Sequence, residues 1–292
     1  REAMKRATPY LLLFPALLFT VFVLAYPLFQ NLSNSFHSVS LVRGTGDWVG
    51  FGNFERVFQD SVFWLAFWNT LVYAVVGTIL ALVIGLAFAL LLNLKIGPIT
   101  TVMNVIYTIP WVISPVVAGF AWKWLLNDNF GILNHWLVSL GLVNEEITWL
   151  GSADTALACV IIARLWQFYP FAMVMFLAGL QSIPHDQYEA AAVDGATAFQ
   201  KFFHITLPNL QSVTAVLLLL GTIWSFNDFN IVFVMTRGGP INASMVLPVL
   251  VREFSFVQFD LGKGSALSII IFFLLISLSL VYLKIISRRE PE

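Results

Sequence analysis

The sequence predicts an all-α, polytopic membrane protein with six transmembrane helices, and three observations carry that reading. Of 292 residues, 59% are hydrophobic and only 11% charged, and the mean hydropathy is +0.85. A soluble domain carries about 25% charged residues, so this chain has too few to cover a globular surface facing water, and lipid is the solvent that fits. The apolar residues also gather into six runs, each long enough to cross a bilayer, which takes about 20 residues. Finally, the runs are long and continuous, unlike the short alternating segments of a β-barrel. Backbone groups at membrane depth must be satisfied within their own segment, which makes these runs helices.

The runs are residues 9–31, 66–93, 101–124, 154–180, 209–235 and 264–286, within one membrane domain over residues 1–292. The first follows the basic residues Arg1, Lys5 and Arg6 and continues past signal-peptide length with no small-residue cleavage site at its end. It reads as a retained span. An even number of spans puts both termini on one side. Arg1, Lys5, Arg6, Lys284, Arg288 and Arg289 place that side in the cytoplasm by the positive-inside rule. Residues 94–99 and 181–208 are then inside, and residues 32–65, 125–153 and 236–263 outside. Trp48, Trp64, Trp68, Trp122, Trp124, Trp136 and Trp149 crowd the outer side, where amphipathic rings anchor at headgroup level.

The same composition excludes several function classes. A net charge of −1 suggests no nucleic-acid partner. The single cysteine, Cys159, excludes an intrachain disulfide and reads as a small buried hydrophobe. The four His residues are far apart, so no metal site is expected. No G-x-x-x-x-G-K-[ST] loop occurs, so any energy from nucleotide enters through another chain. No paired acids, His cluster or nucleophile constellation marks an enzyme.

The most informative stretch is the inside loop, residues 181–208. Pro184 suits a first helical turn, where its missing N–H is not needed. Asp186 and Glu189 lie near that positive helix end. Ala190, Ala191 and Ala192 favour helix and leave a small-residue face that another surface can approach closely. Gly195 permits a turn. Phe199, Phe202 and Phe203 recur at helical spacing and are expected to dock a second short helix under the bundle, before Pro208 opens the next one. The residues alone describe a helix–turn–helix knuckle or an ordinary amphipathic connector.

Glu189-Ala-Ala-x-x-Asp194-Gly195-Ala, followed by Phe202, Ile205, Leu207 and Pro208, closely resembles the EAA motif of binding-protein-dependent ABC permeases. The resemblance implies the permease fold of ABC importers, with the loop acting as a cytoplasmic coupling helix. It implies that Tyr188, Glu189, Ala190, Ala191, Asp194 and Gly195 contact an ATPase subunit. It also implies a set of partners: a second, related permease, two ABC ATPases that carry ATP and Mg, and an extracytoplasmic solute-binding protein. No cofactor is implied in this chain itself.

Further stretches resemble the sugar branch, particularly the maltose-type permeases: Gly50-Phe51-Gly52-Asn53-Phe54 with Asp60, Phe63-Trp64 and Asn69-Thr70; Phe226-Asn227-Asp228-Phe229; Thr236-Arg237-Gly238-Gly239-Pro240; and Gly262-x-Gly264-Ser265-Ala266. The large outer-loop insertion of some maltose permeases is lacking. The residues of 50–54 by themselves read as a Gly-rich turn leading to a short surface helix.

Polar groups inside spans are expensive and so mark functional positions. Span four holds Arg164, Trp166, Gln167 and Tyr169; span five holds Trp224, Ser225, Asn227, Asp228 and Asn230. Sugar recognition uses hydrogen-bonding groups for hydroxyls and an aromatic for the apolar ring face. By resemblance, the solute site at midmembrane is lined by Trp166, Gln167, Phe168, Phe171, Gly221, Trp224, Ser225 and Asp228. Gln167 and Phe168 depart from the smaller or apolar residues of that pattern. Arg164 and Asp228 have a second reading, as an ion pair between spans or as side chains reaching an interface; the aromatics have one as packing.

The implied function is ATP-driven import of a di- or oligosaccharide, such as maltose or trehalose, by alternating access. A glycerol-phosphate-type importer is the alternative. An ion-coupled secondary transporter is a third reading, but such folds carry helices broken at midmembrane, and six uninterrupted spans point away from it.

Overall fold

The computed structural model describes residues 12–94 and 97–287. Arg1, Lys5, Arg6, Arg288 and Arg289, on which the sidedness expectation rests, lie outside the described residues, as do residues 9–11 of the first expected span.

In chain order the elements are α1 (Leu12–Ser35, with a π turn at Val21–Ala25) and the strands β1 (His37–Ser40) and β2 (Gly44–Trp48). There follow α2 (Gly52–Phe58), α3 (Ser61–Asn93), α4 (Pro98–Val112), α5 (Pro115–Leu125), α6 (Ile132–Ser139) and α7 (Ala156–Ser182). Then come α8 (His185–Val193), α9 (Ala198–Asn209), α10 (Gln211–Phe226), α11 (Asn230–Met235), α12 (Leu247–Arg252) and α13 (Leu261–Ser287). Among the described residues, four helices, α1, α3, α7 and α13, are single pieces long and apolar enough to cross a membrane. The count reaches six when each bent pair, α4 with α5 and α9 with α10, is taken as one span.

The third and fifth runs are therefore not the uninterrupted helices expected. α4 and α5 meet at 97°. Pro115 forces the residue before it out of the α region, and Ser114 has ψ 137° and Ile113 ψ 132°. Such a break frees carbonyls, and Gln167 Nε2 donates to Ile113 O at 2.9 Å. The 62° bend between α9 and α10 lies at the expected start of the fifth run, but within the run the helix stops at Phe226, nine residues before the expected end at Met235. Asp228 sits in that gap, and its Oδ1 accepts from the Ile231 N–H of α11 at 3.5 Å. The absence of breaks thus gives no ground for rejecting a secondary transporter.

The chain divides into two compact units. The first comprises the residues up to Phe63 with Leu250–Leu274. Its β1–β2 hairpin pairs His37 with Trp48 and Ser40 with Gly44, with an irregularity between His37 and Val39. Asn53 of α2 donates from Nδ2 to Ser35 O and His37 O, both at 2.9 Å, and Phe36 stacks on Trp48. The short helix that residues 50–54 predict is present as α2. Two aspartates cap the long helices that begin in this unit. Asp60 accepts from Val62 N–H at the start of α3 and from Lys263 Nζ at 2.6 Å. Asp260 accepts from Lys263 N–H at the start of α13 and pairs with Arg56. A Cβ on Gly262 would come within 2.6 Å of His37 O, so close backbone approach explains a glycine there.

The second unit comprises Trp64–Val249 with the chain from Leu275. Leu82, Ala89 and Leu92 of α3 pack with Ala172, Met173, Phe176 and Leu180 of α7 and Leu217 of α10. Small residues set the spacing, as in membrane bundles generally: a Cβ on Gly85 would lie 2.8 Å from Ala172 Cβ and 2.9 Å from Met173 N. Outside the bundle, Asn134 ties α6 to the residues before α7. It donates to Asp128 O and Ile147 O and accepts from Ile147 N–H and Trp149 Nε1–H.

Candidate functional site

Within the second unit, α3, α7 and α10 bring one polar and aromatic cluster together. Phe168 and Phe171 of α7 meet Trp224 of α10, with ring centroids 5.9 Å and 5.2 Å from the indole. Trp224 is 40% exposed, so its ring remains available on one side. Gly221 lies one turn before Trp224. A Cβ there would come within 2.6 Å of Thr78 Cγ2 and 3.0 Å of the Phe168 ring, so its lack of side chain is what lets α10 close on α3 and α7.

Beside the aromatics lie the charges. Arg164 Nε is 3.6 Å from Asp228 Oδ2, and the guanidinium carbon stands 4.8 Å from the centre of the Phe168 ring. Tyr73 of α3 is fully buried and donates its hydroxyl to Asp228 Oδ2 at 2.6 Å. Arg164 Nε and Nη2 and Thr78 Oγ1 are buried without a hydrogen-bond partner. The ion-pair reading of Arg164 and Asp228 and the pocket reading are thus compatible: the pair forms, and it forms against the aromatic cluster.

Of the eight expected lining residues, the structure gathers Phe168, Phe171, Gly221, Trp224 and Asp228. It does not gather Trp166, whose ring packs 6.0 Å from Trp122. Gln167 is committed to the α4–α5 break, and Ser225 is buried with its hydroxyl donated to Gly221 O of its own helix. Tyr73 and Thr78 join the cluster unforeseen. Their signal was present, since both are polar residues inside the long apolar α3, the kind of position that marks function in a span.

The second feature is the knuckle. α8 starts straight after Pro184, and none of its nine residues is buried. Gly195 takes φ +77°, turning the chain into α9, whose Thr197 and Gln200 form a capping box. Tyr188 Oη lies 2.9 Å from Thr206 Oγ1 and braces α8 against α9. A concavity of 330 Å³ opens between the two helices, bordered by Ala191, Asp194, Gly195, Gln200 and His204. Glu189 and Ala190 face outward. The rings of Phe199 and Phe203 pack tilted at 47° with centroids 4.5 Å apart, yet they are 72% and 46% exposed. Of the three phenylalanines expected to dock under the bundle, Phe202 is half-buried and Phe199 and Phe203 are not covered; the spacing marks an amphipathic face without saying what covers it.

Broken apolar spans, a polar cluster inside the bundle and a protruding helical knuckle define the class as a membrane transport subunit. The comparisons give the family: residues 81–289 match the binding-protein-dependent transport system inner membrane component, and the chain belongs to it. It is 36% identical over 286 residues to the sulfoquinovosyl glycerol transport system permease protein of Agrobacterium fabrum, covering 98% of this chain and 92% of the relative. It is 35% identical over 276 residues to the trehalose/maltose transport system permease protein of Thermococcus litoralis, covering 94% and 92%. A crystal structure of a bacterial alginate ABC transporter in complex with its alginate pentasaccharide-bound periplasmic protein contains a chain of the same fold. The TM-score is 0.83 at 22% identity over 96% of this chain and 94% of that one. The protein is accordingly an inner-membrane ABC permease subunit, not an enzyme.

Proposed function

We propose that this subunit imports a carbohydrate or carbohydrate-like solute, binding it against Phe168, Phe171 and Trp224 beside Arg164 and Asp228. The observation that carries the reading is the junction of an aromatic platform, half open at Trp224, with a buried donor–acceptor pair. Sugar rings present an apolar face to the first and hydroxyls to the second. The relatives named for trehalose/maltose and sulfoquinovosyl glycerol transport support a carbohydrate solute; the sulfo group of the second is anionic and goes with the second reading below. A di- or oligosaccharide of the maltose or trehalose kind is the specific expectation. A solute with an anionic group, such as a glycerol phosphate ester, is the second reading; it would have to take the unpartnered Nη2 of Arg164 against the neighbouring charge of Asp228.

The energy enters through the knuckle. Tyr188, Glu189, Ala190, Ala191, Asp194 and Gly195 present a helix and turn to an ATPase subunit, supported by the complete lack of burial of α8 within the chain. Two ATPase subunits bind ATP and Mg, a related second permease completes the pathway, and a solute-binding protein delivers the cargo from outside. Both termini are cytoplasmic. ATP-driven closure moves the knuckle and turns the site from one side to the other, with no covalent change to the solute.

The test is uptake of labelled maltose and trehalose by proteoliposomes holding the full complex and its binding protein. Trp224→Ala is expected to lower uptake about tenfold or more, through loss of stacking contacts on the order of 1.5 kcal/mol, while subunit assembly is unchanged. Uptake of either sugar at the wild-type rate by Trp224→Ala would remove the aromatic cluster from the solute path.

A further inference from the structure

Arg164 is 8% exposed, about a third of the way along α7. Its Nε lies 3.6 Å from Asp228 Oδ2, close enough for an ion pair and too far for a hydrogen bond. Nε and Nη2 have no other partner. Asp228 is better held: Tyr73 Oη donates to Oδ2 at 2.6 Å and Ile231 N–H to Oδ1 at 3.5 Å. The carboxylate is therefore anchored to α3 and α11 and is not free to turn away from whatever the guanidinium binds. A buried charge pair inside a span is tolerated because it is neutral as a unit.

We infer that the Arg164–Asp228 pair sets the charge class of the solute, selecting uncharged polyhydroxy compounds over sugar acids and phosphate esters. This rests on the aromatic cluster being the solute site. Neighbouring hydroxyls of a neutral sugar accept from the spare N–H groups of Arg164 and donate a hydrogen bond to Asp228, leaving the site neutral. An anionic group drawn to the same N–H groups meets the anchored carboxylate and leaves an uncompensated negative charge in a low-dielectric interior. Asp228 thus masks Arg164 and is a specificity-determining residue.

The experiment measures equilibrium binding to the complete permease–ATPase complex in nanodiscs without the binding protein, so that only this chain and its partners choose. The probes are maltose and trehalose, each beside a disaccharide of equal size carrying one glucuronate. The wild-type complex is expected to prefer the neutral sugars. Asp228→Asn keeps the shape, unmasks Arg164 and is expected to shift the neutral-to-acidic ratio towards the uronate by roughly ten- to hundredfold. The double variant Arg164→Gln/Asp228→Asn is neutral again and is expected to keep the neutral preference. A uronate preference in the wild type, or an unchanged ratio in Asp228→Asn while neutral sugar still binds, overturns the charge rule and leaves the solute site standing. Failure of the wild type to bind any of these disaccharides overturns the solute site together with it.

Discussion

The Tyr73 hydroxyl is the closest support of Asp228, and its removal in Tyr73→Phe leaves a buried carboxylate with only the Ile231 N–H and the distant Arg164. The expected cost is about 1–2 kcal/mol, read as a lower melting temperature of the purified complex; an unchanged melt would mean that water replaces the phenol. Gln167→Leu strands the Ile113 carbonyl at the α4–α5 break and is expected to cost about 1–3 kcal/mol in the same measurement, with solute preference unaltered. A changed preference would return Gln167 to the solute path. Residues were partly legible in the sequence. Polar positions in spans four and five pointed to Asp228 and Trp224 because intramembrane polarity is costly wherever it occurs. The role of Gln167 was not legible, because it satisfies a backbone carbonyl freed only where α4 ends, and Ser225 turns back onto Gly221 O of its own helix, a bond open to any serine in a helix. Tyr73 was polar in an apolar span but was passed over, because the partner that gives it a role, Asp228, is 155 positions away in the chain.

At the scale of elements, the knuckle was read closely and the long spans less so. Proline, acidic first turn, alanine run and glycine are local signals, and they place α8 and its turn almost without tertiary context. Gly195→Ala meets no neighbour within 4 Å, so its expected cost, about 1–2 kcal/mol, comes from φ +77° alone. The turn is expected to loosen, and ATPase subunits to co-purify less well; full co-purification and uptake would count against the assigned contact. The span breaks escaped because hydropathy averages over a window and does not register a single Pro115 or the Asn227–Asp228 gap. In the first unit, Lys263→Met takes from Asp60 its 2.6 Å partner at the head of α3, and loss of about 1–3 kcal/mol is expected, measured by thermal unfolding.

At the scale of the whole molecule, the chain brings a polar aromatic cluster and an uncovered helical knuckle together in one apolar bundle, and an importer subunit needs both. Composition and six apolar runs were enough to place it in a membrane; the EAA-like loop was enough to place the family. The central claim is that hydrolysis by separate ATPases is coupled through residues 185–209 to a sugar held against Trp224. The most direct measurement is ATP hydrolysis by the reconstituted complex, with and without binding protein loaded with maltose or trehalose. The account predicts stimulation by the loaded protein, weakened by Gly195→Ala, abolished by a bulky residue at the same position, and weakened by Trp224→Ala in a complex that stays assembled. Hydrolysis indifferent to the loaded binding protein, or a chain that assembles with no ATPase subunit, would contradict it.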